Sequence, residues 1–378
     1  MDTAAATPLN KEVKKEMEKN EAIFGNPGSI HQEGVLARKT LDEARKTIAQ
    51  TIGARSHEII FTSGGTEGNN LAILGMGRDR GHIIASSIEH PSVLEPIKEL
   101  KRRGYDVTFL KPDKEGLISV SSVVEVLRED TILVSVSIAN NEIGVIEPVR
   151  DIGLEIRKWR QEKKTPFPYF HSDCCQAPRF LSLQVDSLGV DMMTVSGAKI
   201  YGPPSIGFLY IKNGTVISPI MRGGGQEGGL RPGTERVIEA AGLAKAMIVC
   251  EKNRKEGNKK LSSLRDYFLS KLFKIKGVSL NGHPERRLPN NINVSFGQCS
   301  GEYMVIALDS KRVSVSTGSA CKIKEGGTSY VIQSLGKGEK ETNGATRFTL
   351  DRKASKKEID YAISAVFDIL KKCTSFQN

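Results

Sequence analysis

Lys199 sits in Ser196-Gly197-Ala198-Lys199-Ile200-Tyr201-Gly202-Pro203, directly after the apolar run 192–195. An amine held between a core strand and a Gly/Pro-rich turn is poorly hydrated. Desolvation lowers its pKa from about 10.4 and exposes a nucleophile of the kind that forms Schiff bases. Asp173 closes another strand-like run, Tyr169-Phe170-His171-Ser172-Asp173, with Gln176 three residues on. A carboxylate at the carboxyl end of a parallel strand lies where α/β proteins build their sites. It can keep a pyridinium nitrogen protonated; an Asp that merely caps the next turn is the plainer alternative. His90, in Glu89-His90-Pro91-Ser92-Val93, can stack on a planar ring and move protons near neutral pH, or simply precede a Pro-started helix. Ser63-Gly64-Gly65-Thr66-Glu67 leads from a strand into a helix. Its glycines let an anion approach the backbone, and a helix N-terminus supplies free N–H groups. It matches neither GxGxxG nor GxxxxGK[ST], so an ordinary glycine turn is the alternative.

Cys321 lies in Ser316-Thr317-Gly318-Ser319-Ala320-Cys321-Lys322-Ile323-Lys324-Glu325-Gly326-Gly327. Small, polar flanks predict an exposed, mobile loop, and Lys322 and Lys324 favour the thiolate, the nucleophilic form. Cys250, by contrast, sits among apolar residues. Cys174, Cys175, Cys299 and Cys373 have no partner at metal-ligand spacing and read as packing or surface residues. No metal is expected.

The elements that must position these groups alternate. Leu36, Leu41, Ala44, Ile48 and Ile52 keep a 3.6-residue period, one buried face of an early helix. Short apolar runs at 58–61, 82–85, 106–110, 132–136, 169–171, 192–195 and 206–210 read as strands, several separated by helical stretches. That alternation predicts an α/β domain with a mostly parallel sheet. The Gly-rich stretch 221–235 marks a boundary. A long helix over 236–274 follows, then strands at 292–296 and 346–350. A last helix places Ile359, Ile363, Val366 and Leu370 on one face. This remainder reads as a smaller α+β domain, to which the first 15 residues return.

The chain has 378 residues, 38% hydrophobic and 6% aromatic, which supports a buried core and excludes the disordered classes. No apolar run approaches the about 18–20 residues of a membrane span. The start, Met1-Asp2-Thr3-Ala4-Ala5-Ala6-Thr7, is not a secretory signal. Six Cys are too few for a disulfide scaffold, and a reducing cytoplasm is the expected compartment. The net charge of +11 is spread along the chain with no aromatic-interleaved stripe. It reads as a solvated surface rather than a nucleic-acid site.

The motifs occur in a fixed order: 63–66, Glu89-His90-Pro91, Asn140-Asn141-Glu142-Ile143-Gly144, His171-Ser172-Asp173 with Gln176-Ala177, 196–199, 223–234 and 318–321. Together they resemble the cysteine desulfurases, within the aminotransferase class V group of fold-type I pyridoxal-phosphate enzymes, nearly end to end. Phe24-Gly25-Asn26-Pro27-Gly28-Ser29-Ile30-His31 and Ser329-Tyr330-Val331 add to the likeness. The resemblance implies a mostly parallel seven-stranded sheet in a large cofactor-binding domain, residues 16–255. It implies a small α+β domain, residues 1–15 and 256–378, carrying the mobile Cys loop.

The resemblance also implies roles. Lys199 forms the Schiff base with pyridoxal 5'-phosphate. Asp173 pairs with the pyridine nitrogen, and Gln176 and Asn141 contact the ring hydroxyl. His90 stacks on the ring and transfers protons. Gly65, Thr66 and Ser196 hold the phosphate, and Thr234 reaches the phosphate of the neighbouring subunit in a homodimer. Arg347, with Asn141, binds the substrate, L-cysteine, through its carboxylate. Cys321 takes the sulfur as a persulfide and hands it to an acceptor protein for iron–sulfur cluster assembly or tRNA thiolation, leaving alanine. A selenocysteine lyase, another class V aminotransferase and a degenerate scaffold are the other readings. Intact Lys199 and Cys321 argue against the last.

Three positions depart from the family pattern: Ala198 where a His is common, the opening Asp2-Thr3-Ala4-Ala5-Ala6-Thr7, and Asp351 where a Gly is usual. Ala198 removes one phosphate contact. Ala198→His is therefore expected to slow loss of pyridoxal phosphate during dialysis several-fold; retention equal to that of the unaltered protein would contradict this.

Overall fold

The computed structural model describes residues 1–76, 80–318 and 328–375. Seven strands form the larger sheet: β1 (Ile59–Thr62), β2 (His82–Ser86), β3 (Asp106–Leu110), β4 (Thr131–Ser135), β5 (Tyr169–Asp173), β6 (Met192–Ser196) and β7 (Gly207–Ile211). Their order is β1-β7-β6-β5-β4-β2-β3. The pairs β2–β3, β2–β4, β4–β5 and β5–β6 are parallel. β7 runs antiparallel to both β6 and β1. β2, β4, β6 and β7 are buried along their whole length, as strands covered on both faces must be.

Helices supply the cover. Gln32–Ile52 buries Leu41, Ala44, Ile48 and Ile52, four of the five residues whose spacing predicted that face. Val237–Leu272 packs along it, within two residues of the expected span at each end. A second sheet has the order β10-β9-β8, from β8 (Val278–Leu280), β9 (Asn291–Phe296) and β10 (Ala345–Thr349). The predicted strands at 292–296 and 346–350 each begin one residue earlier. β8 has only intermediate burial and no sequence signal announced it. The helix Lys356–Ser375 buries Ile359, Val366 and Leu370. Among the described residues no helix is long and apolar enough to cross a membrane.

Two findings correct or sharpen the sequence reading. Cys299 and Cys373, read as packing or surface residues, are joined by a disulfide that spans 74 residues, with Cα atoms 5.8 Å apart. The N-terminal segment lies between the two sheets. Asp2 bridges Thr349 of β10 in parallel, while the Thr7 N–H and hydroxyl both donate to the Ala198 carbonyl at 3.0 Å.

The strands converge on one edge, and one glycine allows the closest approach there. A Cβ on Gly207 would stand 2.4 Å from the Val195 carbonyl oxygen and 2.9 Å from Gly64 Cα. The loop after β1 therefore rests directly on β7. Gly207→Ala must push these backbones apart, at a cost of about 1–3 kcal/mol. The expected result is a lower denaturant midpoint; an unchanged midpoint would contradict the close contact.

Candidate active site

The carboxyl ends of β1, β2, β4, β5 and β6 open into one cavity of about 570 Å³. Nine of the residues singled out in the sequence line it: Gly65, Thr66, His90, Asn141, Asp173, Gln176, Ser196, Lys199 and Arg347. Thr234 does not reach this cavity and is exposed. Cys321 lies outside the described residues.

At one end of the cavity the helix Gly65–Leu74 begins. Gly64 precedes it with φ 147° and gives no side-chain cap. Among the described residues the N–H groups of Gly65 and Thr66 have no hydrogen-bond partner. The turn is braced by Glu67, which accepts from the Ser63 N–H at 2.7 Å and from Arg231 Nε at 2.9 Å. Burial pushes the Glu67 carboxyl up, but Ser63 and Arg231 outweigh it and hold the group below its usual range. The result is an anion cradle made of backbone, with its one nearby carboxylate already engaged.

At the other end Asp173 finishes β5. Its Oδ1 accepts from the Cys175 N–H at 2.9 Å and its Oδ2 from Asn69 Nδ2 at 2.8 Å. His90 caps the helix Pro91–Arg102, with Pro91 at the first helical position, where its fixed φ suits the helix. His90 Nδ1 accepts from the Ser92 N–H at 3.1 Å and lies 2.8 Å from Ser92 Oγ. Burial lowers the His90 pKa; Asp173 opposes that and Lys199 reinforces it.

Lys199 stands in the turn between β6 and β7, where its amine donates to the Ala5 carbonyl. Burial lowers its pKa, against pulls upward from Cys175 and Asp173, with Arg347 adding to the lowering. This is the direction the sequence suggested. Gln176 Nε2 donates to the Ala4 carbonyl at 3.1 Å. Arg347 is almost wholly buried. It donates through Nη1 to the Asn141 carbonyl and through Nη2 to Asp2 Oδ1, both at 2.8 Å. Two of its five N–H donors are thus committed within the protein, which the sequence reading did not foresee.

The chain on either side of Cys321 is anchored next to the cavity. Ser329 Oγ donates to Glu142 Oε2 at 2.6 Å, and the Tyr330 hydroxyl donates to the Glu89 carbonyl. A Cβ on Gly318 would come within 3.0 Å of Glu142 Oε2. Sequence reasoning missed Asn69, Ser92 and Cys175 as site residues. The only available hint was polarity: Asn69 interrupts an otherwise apolar helix face, and Ser92 follows His90 by two.

The family model for aminotransferase class-V matches residues 1–362. The cysteine desulfurase IscS of Dictyoglomus turgidum is 42% identical over 98% of this chain and 94% of its own length. Among solved structures, a NifS-like protein superposes with a TM-score of 0.90 at 31% identity, covering 98% of both chains. SspA in complex with cysteine superposes with a TM-score of 0.79 at 34% identity, over 92% of this chain and 97% of that one. The fold is thus that of the pyridoxal-phosphate enzymes of the class-V aminotransferase type. Within that class, the chain belongs to the cysteine desulfurase family.

Glu89, beside His90, gives the site a pH signature. It is wholly buried and accepts the Ser137 N–H at 2.7 Å. Burial pushes its pKa up to about 8, with Asp173 adding to the rise and Ser137 opposing it. The folded protein therefore keeps a proton that the unfolded chain releases near 4.5. Stability must fall as pH rises through that window, by on the order of 5 kcal/mol at most from this group. Glu147, also raised by burial, adds to the fall. Glu89→Gln has no proton to lose and is expected to flatten the decline in unfolding midpoint between about pH 5 and pH 8. Identical slopes for both proteins would contradict this.

Proposed function

We propose that this chain binds pyridoxal 5'-phosphate and, as a cysteine desulfurase, converts L-cysteine to L-alanine while Cys321 receives the sulfur. The observation that carries the reading is the meeting of Lys199, Asp173, His90 and an uncapped helix N-terminus in one cavity. That donor set fits pyridoxal phosphate. The free N–H groups of Gly65 and Thr66, with Ser196, suit its phosphate. Asp173 suits its ring nitrogen, and the Lys199 amine its aldehyde. Asn141 and Gln176 line the same cavity, and their side-chain amides are of the type that suits its ring hydroxyl.

The bound cofactor supplies an electron sink for the substrate carbon. The chain's own groups do the rest. Arg347 binds the carboxylate of L-cysteine through the N–H donors left free by Asn141 and Asp2. His90 receives the Ser92 N–H on Nδ1, so Nε2 is the nitrogen that exchanges protons. Burial weakens the hold of the Lys199 amine on its proton, which favours its use as a nucleophile. The sulfur balance is simple. L-cysteine and the Cys321 thiol give L-alanine and a Cys321 persulfide: the C–S bond breaks, an S–S bond forms, and the carbon gains a proton with the electron pair.

The likeness of this chain to SspA, which was solved in complex with cysteine, supports the substrate. The surface supports a homodimer. Phe24 and Ile30 are 81% and 98% exposed, and Thr234 sits outside the cavity, as a residue serving the partner's phosphate would. The division into a large domain (16–255) and a small one (1–15 with 256–378) is part of the same reading. So is a sulfur-accepting protein, whether an iron–sulfur scaffold or a tRNA-thiolating enzyme.

The test is turnover of the pyridoxal-phosphate-loaded protein with L-cysteine and a reductant. Alanine and sulfide are expected in equal amounts. Cys321→Ala is expected to lose sulfide roughly a hundredfold or more. Release of selenide from selenocysteine by Cys321→Ala, without cysteine turnover by the unaltered protein, would overturn the assignment in favour of a lyase.

A further inference from the structure

Asn69 is fully buried on the helix Gly65–Leu74, and the reading above leaves it without a role. Its Nδ2 donates to Asp173 Oδ2 and to Ser92 Oγ, each at 2.8 Å. The amide orientation is dictated by chemistry: a carboxylate oxygen can only accept, so nitrogen must face Asp173. Both amide hydrogens are then committed. Its own Oδ1 is left buried without a partner, so the two donated bonds are all that its amide supplies to the site.

The consequence runs on to His90. Ser92 Oγ, accepting from Asn69, is left to donate its hydrogen to His90 Nδ1, 2.8 Å away. The Ser92 N–H points at the same nitrogen. We propose that Asn69 is a positioning residue that ties Asp173 to His90 through Ser92, so that His90 stays neutral with its proton on Nε2. This rests on the assignment of His90 and Asp173 given above.

Charging His90 requires a proton on Nδ1, where it would face two donors. Breaking the chain at either link relaxes that conflict. Without Asn69, Ser92 Oγ is free to turn and accept from the imidazolium. Without Ser92 Oγ, the neutral ring loses a donor. The titratable groups facing His90 are Asp173, which favours its charged form, and Lys199, which opposes it. Neighbouring Glu89 directs Oε1 to the Ser137 N–H. Asn69→Leu also leaves the Asp173 charge less neutralised, which raises the His90 pKa in the same direction.

The test follows the ¹⁵N resonances of histidine-labelled protein against pH, first without cofactor, with the His90 signal identified by its loss in His90→Gln. Asn69→Leu and Ser92→Ala are each expected to raise the His90 midpoint by about half to one pH unit. In the pyridoxal-phosphate-loaded enzyme, the acid limb of the kcat profile is expected to move up equally, with KM for L-cysteine little changed. An unmoved His90 midpoint in folded Asn69→Leu and Ser92→Ala would overturn the proposal. The two ideas separate cleanly. Should His90→Gln keep full turnover, the catalytic assignment of His90 fails, while the titration still decides the coupling.

Discussion

An amine taken out of water gives up its proton more readily, and the site is arranged around the burial of one such amine. Lys199 lies in the turn between β6 and β7, where the sheet changes from parallel to antiparallel. Burial weakens its proton affinity. A buried amine in an apolar setting would be costly, so a backbone carbonyl from Ala5 receives one of its hydrogens. That carbonyl comes from the far end of the sequence. Ala4 and Ala5 are thus part of the site wall.

The same segment explains the behaviour of Arg347. Asp2 pairs with it at 2.8 Å, and the backbone around Asp2 and Thr3 is held to β10 and its end. One short stretch therefore links the lysine turn of the large sheet to the arginine strand of the small one. The arginine keeps N–H donors free, while its position is fixed from two sides. Around Asp173, Asn69 and Cys175 perform the comparable task, each giving one N–H to one carboxylate oxygen. The cavity is preorganised chiefly by backbone groups and amides, which do not titrate.

Much of this was legible in the sequence. Buried parallel strands are short apolar runs, and all seven strands of the large sheet were visible as such. Residues at their carboxyl ends could be named because chemistry there demands particular types: a lysine in a dry turn, an aspartate after β5, glycines before a helix. β8 was not legible, since three half-buried residues leave no pattern. Nor were Asn69 and Ser92, because a polar residue bonded to a distant carboxylate looks in sequence like any polar residue. The pairing of Arg347 with Asp2 spans 345 positions, and no local signal reports such a contact. The Cys299–Cys373 disulfide escaped for the same reason: its partners are 74 residues apart.

The most direct measurement is to reconstitute the protein with pyridoxal phosphate, reduce it with borohydride, digest it and locate the added pyridoxyl mass by peptide mass spectrometry. The expected result is one labelled peptide, the one containing Lys199. Label on a different lysine, or none after reconstitution, would contradict the view that burial of the Lys199 amine organises the site.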